Sequence, residues 1–128
     1  DYITPNLKEI NAVLPDPIRN EDAPVEQAAH DVMKRFHLGS IIVTRSEAGL
    51  SLICEGEIKH IPTKAQEVFD VSGAGDTVIA VFAMGIAGGI APVASAYLAN
   101  LAAGVVVAKL GTYAVSREEL LKALEKEK

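Results

Sequence analysis

The chain of 128 residues is 49% hydrophobic and 23% charged, which is typical of one ordinary globular domain and excludes a low-complexity disordered segment. Cys54 is the single cysteine, so a disulfide scaffold within the chain is excluded and a reducing compartment, the cytoplasm, is expected. Twelve basic and seventeen acidic residues give a net charge of −5 with no Lys/Arg cluster, which argues against nucleic acid or a membrane surface as a partner.

The N-terminal residues predict the end of a strand followed by a helix. Residues 1–3 are typical of a strand end, and Thr4 is expected to cap a first helix with Pro5 in its first turn. Because a native domain seldom begins on so short a strand, we expect these residues to continue a longer chain upstream. Pro15 and Pro17 end this helix, and a polar loop follows.

A second helix is predicted to open at Pro24 and to end at Gly39. Its apolar residues recur at the spacing of one helical face, which indicates that this face is buried. They are Val25, Ala28, Ala29, Val32, Met33 and Phe36.

Beyond this helix the pattern changes to that of strands. Ile41–Thr44 is a continuous apolar and β-branched run, typical of a strand that is covered on both faces in a parallel sheet. Leu50–Cys54 and Ile58–Ile61 flank a glycine-containing turn, which predicts a β-hairpin closed by Pro62.

Residues 77–108 form an uncharged run that is long enough for a membrane span, which needs about twenty apolar residues. Gly88, Gly89 and Pro92 interrupt the run midway, so two consecutive helices buried in a globular core are favoured over a membrane segment. A last, exposed helix is predicted from a capping box, a narrow leucine stripe and many charges. The residues concerned are Ser116, Glu119, Leu120, Leu121 and Leu124.

The segment most informative about chemistry is Gly73-Ala74-Gly75-Asp76, between a strand expected to end near Phe69 and a helix expected to begin near Gly75. Two glycines let the backbone approach a ligand, and the amides of a first helical turn form a site for an anion such as phosphate. A general base facing a hydroxyl, beside a phosphoryl group held by the backbone, is what phosphoryl transfer needs, and Asp76 is placed for that role. The alternative is that Asp76 only complements the helix dipole, which contributes about 0.3–1 kcal/mol.

The wider segment Asp70-x-x-Gly73-Ala74-Gly75-Asp76 resembles the C-terminal signature of the ribokinase-like, or PfkB, carbohydrate kinases. Residues 4–9 resemble the N-x-x-E motif of this family, residues 43–49 its nucleotide-binding strand and turn, and residues 99–103 its adenine-side helix. Further similarity, in residues 62–71 and 104–112, is to the heptose-7-phosphate kinase domains of bifunctional ADP-heptose synthesis proteins.

The resemblance implies a three-layer α/β fold of the ribokinase type, with a mainly parallel sheet flanked by helices and a β-hairpin. Residues 1–128 would form one domain, the ATP-binding C-terminal portion of a sugar kinase whose N-terminal sugar-binding half and lid are absent. The implied reaction transfers the γ-phosphate of ATP to a sugar hydroxyl and converts heptose 7-phosphate into heptose 1,7-bisphosphate. The isolated fragment is expected to be inactive. The alternative is a non-catalytic nucleotide-binding or interaction module of the same fold.

The resemblance also implies roles for individual residues. Asp76 would be the catalytic base, and Gly73, Ala74 and Gly75 the anion hole. Asn6 and Glu9 would act toward the ATP phosphates and, through water, Mg²⁺. The other nucleotide-binding residues would be Thr44, Arg45, Ser46, Gly49 and Asn100, and Asp70 would help to hold a monovalent cation such as K⁺ with carbonyls around Gly111.

Five further residues in this set have structural alternatives. Asn6 and Glu9 could form a solvated helix surface, and Arg45 could be solvated. The Asn100 amide could be hydrogen-bonded between buried helices, and Asp70 could satisfy turn amides. Many family members have glycine where this chain has Ser46.

The implied cofactors are ATP, Mg²⁺ and K⁺, and the implied partners are ATP and a sugar phosphate, with a homodimer through the missing lid. The three histidines and Cys54 lack the spacing of a transition-metal site. The glycine turn also fails the Walker A and dinucleotide-binding patterns, since no Lys-Ser/Thr follows Gly75 and residue 78 is Val78.

Overall fold

The computed structural model describes residues 2–63, 74–107 and 114–126, which form four strands, five α-helices and one 3₁₀ turn. In chain order these are β1 (Tyr2–Ile3), α1 (Leu7–Val13), α2 (Asp22–Phe36), β2 (Ser40–Thr44), the 3₁₀ turn (Ser46–Ala48), β3 (Leu50–Cys54), β4 (Glu57–Ile61), α3 (Ala74–Ala87), α4 (Pro92–Val107) and α5 (Arg117–Lys126). The chain divides into two compact units, a first unit of Asp1–Pro62 and a second unit of Thr63–Lys128.

The sheet of the first unit is mixed, with the strand order β1-β2-β3-β4. The parallel pairing expected for β2 is confirmed with β1, whereas β2 with β3 and β3 with β4 are antiparallel. The predicted hairpin is confirmed: Cys54 pairs with Glu57, which leaves Glu55 and Gly56 as the turn. Gly56 has a φ of 80°, a left-handed conformation that glycine adopts without a side-chain clash.

The core of the first unit lies where α1 and α2 pack on one face of the sheet. It consists of Ile10, Val25, Ala28, Ala29, Val32, Met33, Ile41, Val43 and Ile53. The prediction that β2 is covered on both faces is confirmed, because its neighbouring residues Ile41, Ile42 and Val43 are all 0% exposed.

The first helix begins later than the sequence predicted. Pro5 lies outside α1 because its carbonyl accepts a hydrogen bond from the Thr44 amide, at 3.0 Å, which keeps the chain extended beside β2. Asn6, not Thr4, is therefore the N-cap residue of α1.

The second helix differs from its prediction at both ends. It starts at Asp22, which puts Pro24 within the first turn, where a missing N–H breaks no helical bond. It ends at Phe36 because His37 takes a left-handed conformation with a φ of 54°, two residues before the predicted terminator Gly39. The predicted burial of Phe36 is wrong, since this last helical residue is 50% exposed.

The uncharged run of the second unit forms two helices, α3 and α4, as predicted. No helix within the described ranges is long and apolar enough to cross a membrane. Burial of α3 is confirmed along one side, which carries Val78, Val81, Phe82 and Gly85. It is wrong for the opposite side, where Ile79 is 47% and Met84 73% exposed.

The predicted capping box of the last helix is confirmed. The Glu119 amide donates to Ser116 Oγ at 3.1 Å, and the Ser116 amide donates to Glu119 Oε1 at 3.2 Å.

The strand end expected near Phe69 and the segment around Gly111 lie outside the described residues.

Candidate functional site

The carboxyl ends of the parallel strands β1 and β2 meet at one edge of the first unit. Asn6 and Thr44, which follow or end these strands, form an isolated parallel β-bridge. In open α/β sheets ligands bind outside the carboxyl ends of the strands. The structure thus brings together two of the predicted nucleotide-binding residues, and Ser46 and Gly49 lie in the turn that follows directly.

Asn6 and Glu9 form a reciprocal capping box at the start of α1. The Glu9 amide donates to Asn6 Oδ1 at 2.8 Å, and the Asn6 amide donates to Glu9 Oε2 at 2.9 Å. Both residues are exposed, and a carboxylate has about four acceptor positions, so Glu9 retains capacity for water-mediated contact with a cation. The pair fits the predicted contact with hydrated Mg²⁺, which keeps several of its waters in protein sites.

The turn after β2 is closed by three backbone hydrogen bonds. The Arg45 amide donates to the Gly49 carbonyl at 2.8 Å, the Ala48 amide to Arg45, and the Gly49 amide to Ser46. Gly49 has a φ of 87° and Ser46 a φ of 51°. A residue other than glycine in this left-handed region costs about 1–3 kcal/mol. Ser46 therefore holds, with strain, a conformation that glycine would adopt without strain.

The Arg45 side chain points into the first unit and is only 3% exposed, so the alternative of a solvated arginine is wrong. Its Nε donates to Asn20 Oδ1 at 2.8 Å. Its Nη1 donates to Asp22 Oδ1 at 2.7 Å and to Ser51 Oγ at 3.0 Å, and lies 3.3 Å from His60 Nδ1. The guanidinium is therefore bound by protein groups, and its contact with nucleotide stays a prediction.

A histidine and a glutamate extend this buried network. His60 Nδ1 lies 2.7 Å from Ser51 Oγ, and His60 Nε2 lies 2.5 Å from Glu26 Oε1. Since a carboxylate only accepts, His60 Nε2 donates to Glu26, while His60 Nδ1 lies against Ser51 Oγ and Arg45 Nη1. Sequence analysis missed this network because its members share no motif. Apart from Ser51, which lies six residues from Arg45, they are 15 to 25 residues away from it along the chain.

Arg45 also changes the acidity of Asp22. The hydrogen bond from Arg45 is the main cause that lowers the Asp22 pKa below its ordinary value of 3.8, with further lowering by the charges of His60 and Arg45 and an opposing effect of desolvation. The Asp22 side chain is 62% exposed, so water screens the pair and limits its contribution to stability.

In the second unit, Ala74, Gly75 and Asp76 form the first turn of α3, which confirms the predicted helix start. A Cβ placed on Gly75 would meet no atom of the described residues within 4 Å, so the backbone there is open to close approach. Asp76 is exposed on the same turn. Gly73 and Asp70, the remaining residues of the predicted signature, lie outside the described residues.

Asn100 lies in the middle of α4 and is 6% exposed. This burial agrees with the alternative, in which the Asn100 amide is hydrogen-bonded between packed helices. The contact of Asn100 with adenine or ribose stays a prediction.

Comparison with solved structures assigns the fold class. The chain is similar to a ribokinase from Thermotoga maritima, with a TM-score of 0.86 and 29% identity over 98% of this chain and 42% of that one. It is also similar to an Arabidopsis thaliana ribokinase complexed with ribose and ATP, with a TM-score of 0.87 and 25% identity over 98% of this chain and 41% of that one. These similarities confirm the predicted ribokinase-like α/β fold.

Comparison of the sequence assigns the family. The profile described as pfkB family carbohydrate kinase matches residues 1–119, so the chain belongs to the pfkB family of carbohydrate kinases. A curated relative, the "Bifunctional protein HldE" of Trichlorobacter lovleyi, is 51% identical over 126 residues, covering 98% of this chain and 26% of the relative. The protein of the same name from Vibrio cholerae is 48% identical over 123 residues, covering 95% and 25%. The chain thus spans about a quarter of the length of these relatives.

Proposed function

We propose that this chain is the ATP-binding portion of a sugar kinase that transfers the γ-phosphate of ATP to a sugar hydroxyl. The observation that carries the proposal is the first turn of α3, where the open backbone at Gly75 is followed directly by the exposed carboxylate of Asp76. Membership of a carbohydrate kinase family supports this interpretation.

The backbone of this turn would bind the transferring phosphate. The amides of Ala74 and Gly75 have no acceptor within the helix, so they can donate to phosphate oxygens, and the helix dipole favours an anion there. Gly73 is proposed to complete this anion hole. Fixed donors of this kind stabilise the charge on the phosphoryl oxygens during transfer.

Asp76 is proposed to be the general base. It would accept the hydroxyl proton of the sugar as the sugar oxygen bonds to the γ-phosphorus and the bond from phosphorus to the ADP oxygen breaks. A carboxylate beside a bound phosphate is otherwise unfavourable, because the two negative charges repel each other. The exposure of Asp76 leaves the carboxylate accessible to a hydroxyl.

The first unit is proposed to supply nucleotide and cation contacts. Asn6 would contact the ATP phosphates and Glu9 would hold Mg²⁺ through its waters, and Mg²⁺, when bound, neutralises phosphate charge. The backbone of the turn that contains Ser46 and Gly49 would border the nucleotide. Asp70 is proposed to help to hold K⁺.

The proposed substrate is heptose 7-phosphate, with heptose 1,7-bisphosphate as the product. The curated relatives named HldE support this choice, because they match at 42–51% identity along nearly the whole chain. Since the chain spans about a quarter of these relatives, we propose that the sugar-binding half and the lid belong to a part outside these 128 residues. The chain alone would then bind nucleotide in the cytoplasm without phosphorylating a sugar, and any homodimer would form through that lid.

The test is an Asp76→Asn substitution in a chimera whose residues 1–128 replace the matching segment of the Trichlorobacter lovleyi relative. Loss of a general base is expected to lower kcat with heptose 7-phosphate by about 10²–10⁴-fold. The Kd for ATP should stay within about threefold, since the base does not bind the nucleotide.

The matched control is Asp16→Asn, which removes an exposed carboxylate from a loop of the first unit. Near-normal kcat in the Asp76→Asn chimera would contradict the catalytic role. ATP binding without transfer to any sugar by the unsubstituted chimera would favour the non-catalytic module. Measuring kcat of the unsubstituted chimera with ribose in place of heptose 7-phosphate tests the choice of sugar.

A further inference from the structure

One residue outside every predicted motif contacts both ends of Arg45. Asn20 lies in the loop before α2, and its Nδ2 donates to the Arg45 carbonyl at 3.1 Å. Its Oδ1 accepts from Arg45 Nε at 2.8 Å. We call this reciprocal pair the Asn20–Arg45 clip.

The clip is anchored because the guanidinium is held on its other side. Asp22 and Ser51 accept from Nη1 at 2.7 and 3.0 Å, and the arginine is 3% exposed. A buried guanidinium with several acceptors has few alternative positions, since moving it would leave a charge without partners. The backbone of Arg45 is therefore fixed relative to α2 and β3.

Ser46 follows the clip directly and has a φ of 51°. Strained backbone of this kind persists only where the surrounding structure over-determines it. The carbonyl of the preceding peptide, that of Arg45, accepts from Asn20 Nδ2 at 3.1 Å and from the Ala48 amide at 3.0 Å. The Arg45 residue is held further by its own amide, which donates to the Gly49 carbonyl, and by its Nε, which donates to Asn20.

We propose that Asn20 and the Arg45 side chain are positioning residues, which hold Ser46 in the left-handed conformation and so present the turn of residues 45–49 to the nucleotide. This inference rests on the proposed function and deepens it. It assigns Arg45 an indirect role, in which the guanidinium acts on the turn from inside the first unit and does not contact ATP.

The conformational part is tested on the 128-residue chain without ligand. An intraresidue NOE between the amide and α protons is strong at positive φ, so it reports the Ser46 conformation by NMR. Asn20→Ala should weaken this NOE, whereas Gln27→Ala, which removes an exposed amide from α2, should leave it unchanged. A strong Ser46 NOE in folded Asn20→Ala protein would overturn the proposal whether or not the chain binds ATP.

The functional part is tested in the chimera by a double-mutant cycle. Asn20→Ala should raise the KM for ATP at least about fivefold with kcat within about twofold, because it disturbs nucleotide binding and not the transfer step. In the Ser46→Gly background the same substitution should change KM less than about twofold, since glycine adopts the left-handed conformation without the clip. An equal rise in both backgrounds would overturn the positioning role.

A second substitution tests the same claim if the Asn20→Ala protein does not fold. Asn20→Asp still accepts from Arg45 Nε but cannot donate to the Arg45 carbonyl, so the same dependence on Ser46 is expected, and its absence counts against the clip. If the unsubstituted chimera binds no ATP, the proposed function fails, and the NOE measurement still decides the conformational claim.

Discussion

The turn of residues 45–49 illustrates what single residues contribute to the candidate site. Sequence analysis placed Ser46 and Gly49 at the nucleotide by resemblance, but it did not predict a φ of 51° at Ser46. That conformation depends on Asn20, which lies 25 residues before Arg45. Local pattern carries no information about contacts at such separations, whereas Asn6 and Glu9, which lie three residues apart, were predictable as a pair.

At Gly75 we expect alanine to separate stability from function. Within the part of the chain that the structure describes, the added Cβ would meet no atom within 4 Å, and alanine favours a helix over glycine by up to about 1 kcal/mol. The melting temperature should therefore not fall. The same Cβ would keep a phosphate from the backbone, so kcat/KM for ATP in the chimera should fall at least about tenfold. Unchanged kcat/KM would contradict an anion hole at this turn.

At Asp22 we expect the contribution to stability to depend on pH. Because the folded-state pKa is lowered, the contribution is fully present above the ordinary value of 3.8 and is lost as the pH falls through the folded-state pKa. Asp22→Asn should therefore lower the urea midpoint at pH 7, and the difference from the unsubstituted chain should shrink below pH 3.8. A difference that stays constant with pH would contradict the ion pair with Arg45, and Asp16→Asn is the control.

Among the elements, predictions succeeded where a local period or a turn residue decides the structure. The hairpin around Gly56 and the separation of α3 from α4 followed directly from the sequence. Helix ends were less predictable, because distant strands compete for the backbone: Thr44 binds the Pro5 carbonyl and moves the start of α1. The apolar composition of α3 could not indicate which of its sides is exposed, since both sides carry apolar residues.

The contact between α3 and α4 depends on Gly85. A Cβ there would lie 2.4 Å from Ser95 Oγ and 2.8 Å from Ser95 Cβ, so Gly85→Ala forces the helices apart and should cost about 1–3 kcal/mol. Ser95→Gly removes both atoms and leaves Ser95 Cα at 3.4 Å. Thermal denaturation should thus show a smaller cost of Gly85→Ala in the Ser95→Gly background. Equal costs in both backgrounds would contradict this close contact, and Gly75→Ala is the control.

On the scale of the whole chain, the predicted site residues are divided between two compact units. Asn6, Thr44 and Ser46 lie in the first unit, and Asp76 and Asn100 in the second. The family could be predicted because its motifs are local and recur in a fixed order along the chain. The substrate could not be derived from the residues themselves, because the chain spans about a quarter of its curated relatives.

The uncharged run of residues 77–108 has a clearer origin at this scale. It corresponds to α3 and α4, with Asp76 as the acidic residue immediately before it. The composition of the run was compatible with a membrane span. The break at Gly88 and Gly89 favoured two shorter helices instead.

The most direct measurement of the central claim is a calorimetric titration of ATP with Mg²⁺ into the 128-residue chain and into the chimera. We expect saturable heat with both proteins and, in the chimera, a Kd that changes by no more than about threefold on Asp76→Asn while kcat is lost. Heat with the chimera and none with the 128-residue chain would contradict nucleotide binding by the chain alone, and would mean that the nucleotide site needs the part of the protein outside these residues. Absence of heat with both proteins would contradict the assignment of this chain as the ATP-binding portion of a sugar kinase.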